Sequence, residues 1–457
     1  MAEPRSAAGR VFVANRGEIA VRVIRSAHAL GMETVLGVSL ADRDSLAAQE
    51  AQRTVVLGPA AARDSYLNQN LVMHAAIATG CTALHPGYGF LSERPELSEL
   101  CAREHIAFIG PTPESIRAVG DKLSAKRLAR AAGVPLTRGS EKLQDAAHAL
   151  KVAEKIGYPV ITKASAGGGG RGMIVARNPG ELSEAFTRAA ATAREAFGDD
   201  TLYLEAYVER ARHLEVQLMG DGAGRVIHFG ERDCSVQRRY QKMIEEAPAA
   251  ILSDEVRARL RGAAVELLSS IAYRNAGTVE FLYDEDRQLF SFMEVNARIQ
   301  VEHPVSEEIT GTDLIKLQLE VGTGRRPLPA QESIATAGHA LEVRILAEDP
   351  DRNFSPSPGR ITLWKPPNGA GIRVDSGVAS GSMVPPFYDS MIAKLIVRGS
   401  SRAEAVDRIQ QALARFEVGG IATNIPLLRA IVAHDDFRSN RVSTRWLETT
   451  LLPSFTT

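Results

Sequence analysis

The segment Phe292-Met293-Glu294-Val295-Asn296-Ala297-Arg298-Ile299-Gln300-Val301-Glu302-His303-Pro304 alternates between polar and apolar side chains. Successive side chains of a β-strand point to opposite faces of its sheet. If the chain stays extended, one face packs into a core through Met293, Val295, Ala297, Ile299 and Val301. The other face presents Glu294, Asn296, Arg298, Gln300 and Glu302. The segment therefore predicts a sheet with a ligand-binding polar face.

A second acid precedes this segment by one short hairpin, since Glu280 lies in Thr278-Val279-Glu280-Phe281-Leu282-Tyr283. Two carboxylates on adjacent strands can hold Mg²⁺ (or Mn²⁺), because such ions are commonly bound through one or two carboxylates together with substrate phosphates. The alternative is a solvated sheet face with ion pairs, which is usually rich in Lys, Glu and Thr. The amides and the arginine between the acids favour a ligand site. We expect Glu280 and Glu294 to bind the metal.

A glycine run, Ala166-Gly167-Gly168-Gly169-Gly170-Arg171-Gly172, lies between predicted strands at 159–163 and 173–176. Consecutive glycines let backbone N–H groups approach a phosphate closely. A Walker A loop needs GK[ST] followed by a helix, and neither is present here. A flexible surface turn is the alternative, but Lys163 stands just before the run and can meet phosphate charge. The pattern predicts a β-hairpin lid over a nucleotide.

The rest of the chain divides into three regions of an α/β protein. The first has a strand at 11–14, a helix ending near Gly31 and a strand at 34–38, which indicates a parallel α/β unit without the GxGxxG fingerprint of dinucleotide binding. The second begins near Thr112 with helical periodicity over 114–132 and includes a helix that starts at Ser253. The third follows the Pro-rich join at 326–329 and has a helix over 402–416.

Composition excludes several classes of protein. The chain has 457 residues and a net charge of -1 without a Lys/Arg block, which argues against nucleic acid or a membrane as partner. Its three cysteines, Cys81, Cys101 and Cys234, lack CxxC spacing, and no apolar signal core precedes the first strand, so we expect a cytoplasmic protein.

Two polar stretches are ambiguous. His213-Leu214-Glu215-Val216-Gln217-Leu218 alternates like an ordinary half-buried strand. The stretch from Glu231 to Lys242 is dense in charges of both signs and is equally compatible with a solvated loop and with a binding surface. Cys234 within it is expected to be a packed thiol, because no paired base is evident.

Several motifs occur together along the chain. They are Ala14-Asn15-Arg16-Gly17-Glu18-Ile19-Ala20, His85-Pro86-Gly87-Tyr88-Gly89-Phe90-Leu91-Ser92-Glu93, Gly120-Asp121-Lys122, the glycine run, Arg298-Ile299-Gln300-Val301-Glu302-His303-Pro304 and Tyr388-Asp389-Ser390-Met391-Ile392-Ala393-Lys394-Leu395. With these motifs the chain resembles the biotin carboxylase family of ATP-grasp enzymes, from about Val11 to Glu448. The resemblance implies an N-terminal pre-grasp domain (1–118), an ATP-grasp domain (119–330, lid about 137–205) and a C-terminal biotin carboxylase domain (331–457).

The resemblance also implies a role for individual residues. Those expected to bind ATP are Lys122, Lys163, Gly167, Gly168, Gly169, Gly170, Glu205, Tyr207, Val208, His213, Gln237, Tyr240 and Leu282. Those expected at the metal are Glu280, Glu294 and Asn296. Those expected around bicarbonate and biotin are Lys242, Arg298, Gln300, Val301, Glu302, Arg344 and Tyr88, with Glu302 as the base and Arg298, Lys242 and Arg344 as further catalytic residues.

The implied activity is the ATP- and bicarbonate-dependent carboxylation of biotin through carboxyphosphate. No Met-Lys-Met biotinylation motif is present, so the biotin carrier and the carboxyltransferase are expected on other chains, and a homodimer is implied. Pro304 favours an acyl-CoA carboxylase over a pyruvate carboxylase. The chain departs from the family at Tyr240, where His is usual, and at Ala166, Ala206, Ala297 and Leu346. The alternatives are another ATP-grasp ligase and a non-catalytic nucleotide-binding subunit.

Overall fold

Strands and helices alternate through the first region of the computed structural model, which describes residues 9–165 and 173–455. The strands pair in parallel in the order β3-β2-β1-β4-β5, and the parallel pairing of β1 with β2 confirms the unit predicted from the strands at 11–14 and 34–38. The apolar run Val11-Phe12-Val13 is fully buried, which is typical of a parallel strand covered on both faces. The elements are β1 (Arg10–Val13), α1 (Gly17–Ala29), β2 (Glu33–Ser39), α2 (Leu46–Glu50), β3 (Arg53–Gly58), α3 (Gln69–Ala78), β4 (Ala83–His85), α4 (Pro95–Arg103), β5 (Ala107–Phe108) and α5 (Pro113–Gly120).

The helical pattern over 114–132 contains two helices, which corrects the prediction of one. Helix α5 ends at Gly120, and α6 (Lys122–Ala131) begins immediately after Asp121. Asp121 is extended and its Oδ1 accepts a hydrogen bond from the Ser124 backbone N–H at 2.8 Å. This N-cap satisfies a donor that would otherwise be unpaired at the helix start. The break brings Lys122 to the N-terminal end of α6.

The second region contains a small antiparallel sheet and most of a large one. The small sheet has the order β7-β6-β8, and its β6–β7 hairpin confirms the strands expected on either side of the glycine run. The predicted lid glycines, Gly167 to Gly170, lie outside the described residues. The elements are α7 (Ala146–Ile156), β6 (Val160–Ala164), β7 (Ile174–Ala176), α8 (Pro179–Phe197), β8 (Leu202–Ala206), β9 (Ala211–Asp221), β10 (Val226–Arg238), β11 (Gln241–Ala247), α9 (Asp254–Ser269), β12 (Arg274–Asp284), β13 (Leu289–Asn296), α10 (His303–Thr310) and α11 (Leu314–Gly322).

The third region extends the large sheet. Its elements are β14 (His339–Leu346), β15 (Glu348–Asp349), β16 (Ser355–Pro356), β17 (Gly359–Arg360), β18 (Leu363–Lys365), β19 (Ile372–Ser376), β20 (Met383–Val384), β21 (Met391–Gly399), α12 (Arg402–Arg415), β22 (Glu417–Gly419), α13 (Ile425–Ala433) and α14 (Asp435–Arg438). The antiparallel order β13-β12-β9-β10-β11-β14-β21-β19 runs unbroken from the second region into the third. The α/β class is therefore confirmed as a parallel sheet joined to antiparallel sheets.

The two ambiguous polar stretches are buried strands. Residues 211–220 in β9 are buried on both faces, so the prediction of a half-buried strand is wrong. The stretch from Glu231 to Lys242 forms the end of β10 and the start of β11 rather than a solvated loop. The physical reason is internal pairing: the Arg232 Nε donates to Glu215 Oε1 at 2.5 Å, and both side chains are fully buried. Charged residues can occupy a protein interior when they are paired in this way.

The segment that alternates in sequence is bulged and then turns. Glu280 lies opposite Glu294 but Phe281 lies opposite Phe292, so Met293 is an inserted residue. Phe292 is consequently buried, and Met293 lines the cleft instead of the expected core face.

Strand β13 also ends at Asn296. The expectation of a continuous extended strand to Glu302 is therefore wrong, although Ala297 and Ile299 are buried as expected. Glu302 instead directly precedes α10, in which Pro304 occupies the first turn. No helix in the described ranges is long and apolar enough to cross a membrane.

The buried side chain of Asn424 attaches α13 to the end of β14. Its Oδ1 accepts from the Leu346 backbone N–H at 2.8 Å, and its Nδ2 donates to the Arg344 carbonyl at 2.9 Å. Asn424→Ala should lower the free energy of unfolding by about 2–4 kcal/mol, because two buried backbone groups lose their partners. Urea unfolding followed by circular dichroism measures the change. The control Asn68→Ala, which removes an exposed cap of α3, should cost about 1 kcal/mol, and equal losses would contradict the expectation.

Candidate active site

A cleft of about 470 Å³ lies between the small sheet, the large sheet and the loop after β4. A neighbouring cavity of about 300 Å³ shares Lys163, His213, Gln237 and Tyr240 with it. The residues predicted for the site that line the first cavity are Tyr88, Lys122, Lys163, His213, Gln237, Tyr240, Lys242, Glu280, Glu294, Asn296, Arg298, Gln300, Val301 and Arg344. Those that line only the second are Glu205, Tyr207, Val208 and Leu282.

The two expected metal ligands lie on paired strands. Glu280 on β12 is directly opposite Glu294 on β13. Glu280 Oε1 accepts from the Asn296 amide at 2.9 Å and from the Gln300 amide at 3.0 Å, and Oε2 lies 2.8 Å from His213 Nε2. Burial opposes ionisation of Glu280, but the Lys242 ammonium and His213 hold the pKa of that carboxyl well below its usual range. Glu280 is therefore an anion.

Lys242 is the shared cation of the cleft. Its Nζ lies 2.7 Å from Glu215 Oε2, 3.0 Å from Glu280 Oε1 and 2.6 Å from Glu302 Oε1. Burial works against the charge on Lys242, but the three carboxylates raise its pKa well above the usual value. The Arg232 guanidinium and the Lys242 ammonium together lower the pKa of Glu215 to about 2, although burial acts to raise it.

Glu302 is fully buried between two cations. Its Oε1 contacts Lys242, and its Oε2 lies 3.0 Å from Arg344 Nη2. Burial and the Glu215 charge raise the pKa of Glu302, whereas Lys242 and Arg344 lower it, and the net effect is a lowered pKa. The ionised carboxylate, with one oxygen on each cation, is therefore held in a fixed orientation, and Glu302 itself lines neither cavity.

Arg298, which lines the cleft, is held in place by Glu93. The Arg298 Nε donates to Glu93 Oε2 at 3.0 Å, and the Ala297 backbone N–H donates to Glu93 Oε1 at 2.8 Å. Arg298 Nη1 also donates to Gln300 Oε1 at 3.0 Å. Glu93 is the last residue of the motif that begins at His85, and the sequence alone predicted no role for its side chain.

The second cavity is bordered by a lysine pair on Glu205. Lys163 Nζ lies 2.5 Å from Glu205 Oε2, and Lys126 contacts Oε1. Burial raises the pKa of Glu205, but the two ammonium groups overcome it and lower the pKa to about 2. Gln237 Nε2 lies 2.8 Å from His213 Nδ1, which fixes the imidazole between Gln237 and Glu280. Lys126 was missed by sequence reasoning, although it lies one turn after Lys122.

Tyr240 lies in the tight turn between β10 and β11. Arg239 and Tyr240 both have positive φ, at 50° and 64°, which is the conformation of a two-residue hairpin turn. Tyr240 is 55% exposed and borders both cavities. Ala206 at the end of β8, another of the departures from the family, also borders the second cavity.

Tyr88 joins the cleft to a buried ion pair. Its hydroxyl donates to Glu18 Oε1, and the same oxygen lies 3.1 Å from Lys394 Nζ. Lys394 also donates to the Val301 carbonyl at 2.8 Å. This arrangement fixes the backbone of Val301 and the ring of Tyr88 on one wall of the cleft.

The oxygen donors at Glu280 and Glu294 fit a hard divalent cation. The carboxylates face each other across two paired strands, and Glu294 lies 3.2 Å from Lys122 Nζ, so each acid is already balanced by an ammonium group. Asn296 turns its amide nitrogen to Glu280 and its oxygen to Arg298 Nη2 at 3.1 Å. Carboxylate and amide oxygens are ligands that Mg²⁺ accepts.

Three family models match successive parts of the chain. They are the biotin carboxylase N-terminal domain over 7–116, the ATP-binding domain of the carbamoyl-phosphate synthase L chain over 121–330 and the biotin carboxylase C-terminal domain over 342–449. Together with the opposed acids and the lysine-lined cavities, these matches define an ATP-grasp enzyme.

Relatives narrow the class. Biotin carboxylase 1 of Bacillus subtilis (strain 168) is 46% identical, over 96% of this chain and 98% of its own length. The biotin carboxylase–β,γ-ATP complex from Campylobacter jejuni superposes with a TM-score of 0.94 at 44% identity, covering 96% of this chain and 98% of that chain. A second structure is the biotin carboxylase domain dimer of Hydrogenobacter thermophilus 2-oxoglutarate carboxylase, in complex with MgADP, ADP and bicarbonate. It superposes with a TM-score of 0.93 at 43% identity, covering 98% of this chain and 99% of that chain. The chain belongs to the biotin carboxylase family.

Lys242→Met should lower the free energy of unfolding by about 3–5 kcal/mol at pH 7, because it removes the cation that three buried carboxylates share. Carboxylates with depressed pKa values contribute stability that is fully present above about pH 4.5 and is lost as pH falls toward about 2, so the difference from wild type should narrow as pH falls below about 4.5. Urea unfolding of both proteins at several pH values measures this difference in the free energy of unfolding. Lys365→Met, which breaks an exposed pair with Glu417, should cost under about 1 kcal/mol, and a difference independent of pH would contradict the assignment.

Proposed function

We propose that this chain uses ATP and bicarbonate to carboxylate biotin. The observation that carries the proposal is the position of Glu302, buried between Lys242 and Arg344 and one cation away from Glu280. This arrangement places a base beside two fixed positive charges and a pair of acids suited to a phosphate-bound metal. Membership of the biotin carboxylase family supports the same activity.

Glu302 is proposed to take the proton of bicarbonate on a carboxylate oxygen. A bicarbonate oxygen then attacks the γ-phosphate to give carboxyphosphate and ADP. Carboxyphosphate yields CO₂ and phosphate, and the phosphate can accept the N1′ proton of biotin. Arg298 and Arg344 hold bicarbonate and the biotin enolate, and such fixed charges stabilise developing anions strongly. Gln300, the Val301 backbone and Tyr88 complete the wall around these anions.

ATP is proposed to occupy both cavities. Lys122 and Lys163 meet the phosphates, and Glu205, Tyr207, Val208, His213, Gln237, Tyr240 and Leu282 surround the nucleoside. Glu280 and Glu294, with Asn296, would hold Mg²⁺, which neutralises phosphate charge when bound. The lid glycines Gly167 to Gly170 are proposed to cover the phosphates. The proposed domain limits are 1–118, 119–330 and 331–457.

The biotin is proposed to be carried on a separate polypeptide that also serves a carboxyltransferase. The crystal structure of the biotin carboxylase subunit of pyruvate carboxylase supports this view, with a TM-score of 0.83 at 44% identity over 96% of this chain and 98% of that chain. A homodimer and an acyl-CoA as the final acceptor belong to the same proposal. A non-catalytic nucleotide-binding subunit is disfavoured, because Glu302, Arg298 and both acids are in place.

Purified protein should cleave ATP only with bicarbonate and Mg²⁺, and faster when free biotin is added. Glu302→Gln should reduce the biotin-dependent rate by about 10²–10⁴-fold while ATP still binds, since an amide cannot act as a base. Phosphate release in bicarbonate-depleted buffer, with each component restored in turn, measures both effects. Equal rates in all conditions would rule out the biotin assignment, and a variant within threefold of wild type would rule out Glu302 as the base.

Tyr240→His should be tolerated. The exposed ring offers one hydrogen-bonding edge in either residue, so the change is worth about 0.5–1.5 kcal/mol, and the KM for ATP should move by less than about tenfold with nearly constant turnover. Steady-state kinetics on the two proteins decides the point. A hundredfold gain in turnover would mean that the natural chain is an impaired enzyme, and a regulatory role would then be favoured.

A further inference from the structure

Two buried carboxyls lie behind Arg344. Glu245 on β11 is directly opposite Glu342 on β14, and both residues are fully buried. Glu245 Oε1 accepts from Arg344 Nε at 2.6 Å and also contacts Arg344 Nη2 at 2.6 Å. The same Nη2 contacts Glu302 Oε2 at 3.0 Å. One guanidinium thus joins Glu245 to the proposed base.

The Glu245–Glu342 pair has too few hydrogen-bond donors around it to hold two negative charges. Within residues 9–165 and 173–455, both carboxyl oxygens of Glu342 lack a hydrogen-bond partner. The same is true of Glu245 Oε2. Lys394 on β21, whose charge acts to lower the pKa of Glu342, is committed to Glu18 and to the Val301 carbonyl. A buried carboxylate without donors is strongly disfavoured. Glu342 therefore retains its proton at neutral pH.

The protonation of Glu245 is finely balanced. Burial raises its pKa, Arg344 lowers it and the Glu302 charge raises it, which leaves a pKa of about 7. Burial also raises the pKa of Glu342 well above its usual value, and the Glu245 charge raises it further, against Lys394. Glu245 is thus the member of the pair that changes charge near neutral pH.

The charged groups around the pair come from each neighbouring element. Lys242 lies on β11 with Glu245, Cys234 on β10, Arg344 on β14, Lys394 on β21 and Glu302 before α10. Burial raises the pKa of the Cys234 thiol well above its usual value, so that thiol is neutral near pH 7. His303 on α10 is buried and neutral, because burial and nearby cations lower its pKa well below the usual value. Glu246, the next residue along β11, instead pairs with His339 and Arg402.

We propose that Glu245 is a positioning residue that sets the basicity of Glu302 through their shared Arg344. When Glu245 is ionised, Arg344 divides its charge between two carboxylates, and Glu302 accepts a proton more readily. When Glu245 is neutral, Arg344 pairs with Glu302 alone and holds it as a weakly basic carboxylate. The two carboxyls are coupled, so each raises the other's affinity for a proton. This inference rests on the proposed role of Glu302 as the base.

The test compares bicarbonate- and biotin-dependent ATP cleavage between pH 6 and 9 in the wild type and in Glu245→Gln. The wild-type rate should rise with pH through an inflection near 7, where Glu245 ionises. Glu245→Gln should lose this inflection and run about 3- to 10-fold slower at pH 8, as expected for a less basic general base. Glu245→Asp should restore the inflection, and the KM for ATP should stay unchanged in both variants.

Glu342→Gln is the matched control. It lies opposite Glu245, is equally buried and exchanges a neutral acid for a neutral amide, so the inflection, the rate and the thermal midpoint should remain those of the wild type. If the inflection disappears in Glu342→Gln but persists in Glu245→Gln, the proposal is wrong. An unchanged pH profile in both variants, with an active wild type, also overturns it. A wild type without any bicarbonate-dependent cleavage would instead refute the proposed function.

Infrared spectra of the folded wild type supply a test that needs no variant. One protonated carboxyl band should vanish as pH rises through about 7, and a second, from Glu342, should persist to higher pH. Absence of a protonated carboxyl that titrates near pH 7 would overturn the proposal even if Glu245→Gln failed to fold.

Discussion

The sharing of one ammonium group by three buried carboxylates is the constraint on which the cleft depends. Lys242 is supplied by β11, Glu215 by β9, Glu280 by β12 and Glu302 by the turn before α10. Three charges of one sign cannot remain buried without a cation at hydrogen-bonding distance. The four elements must therefore be in register before any of these side chains is acceptable in the interior.

Glu302 connects this cluster to the C-terminal region. Its second oxygen contacts Arg344 on β14, and β14 pairs directly with β11, which carries Lys242. Because the sheet is continuous here, the two cations that flank Glu302 are held by neighbouring strands of one rigid element. A base whose charged partners stand on adjacent strands keeps its geometry better than one whose partners are carried on loops.

Sequence reasoning reached the parts of the site that local patterns encode. Period-two alternation brought Glu294 and Asn296 to the polar face, and the hairpin spacing placed Glu280 beside them. The period-two prediction was wrong at Met293 and beyond Asn296. A bulge and a turn at these places change which face a side chain occupies without changing the sequence pattern. The roles of Glu215 and Arg232 depend on pairing between strands, which no local pattern records. The only signal for Glu215 was a polar alternation in β9, which resembles that of an ordinary strand, and the only signal for Arg232 was a dense run of charges in β10, which fits a solvated loop equally well.

The charge balance of the cleft also explains why a nucleotide and a metal ion belong together there. Lys122 neutralises Glu294, and Lys163 with Lys126 neutralises Glu205. A triphosphate that recruits Lys122 and Lys163 removes a counter-ion from each of these acids. Glu205 keeps Lys126, but Glu294 has no second cation within salt-bridge distance among the residues the structure describes. A divalent cation held by Glu294 and Glu280 together with the phosphates would replace the missing positive charge at Glu294, so a nucleotide bound without the ion would leave Glu294 without a counter-ion.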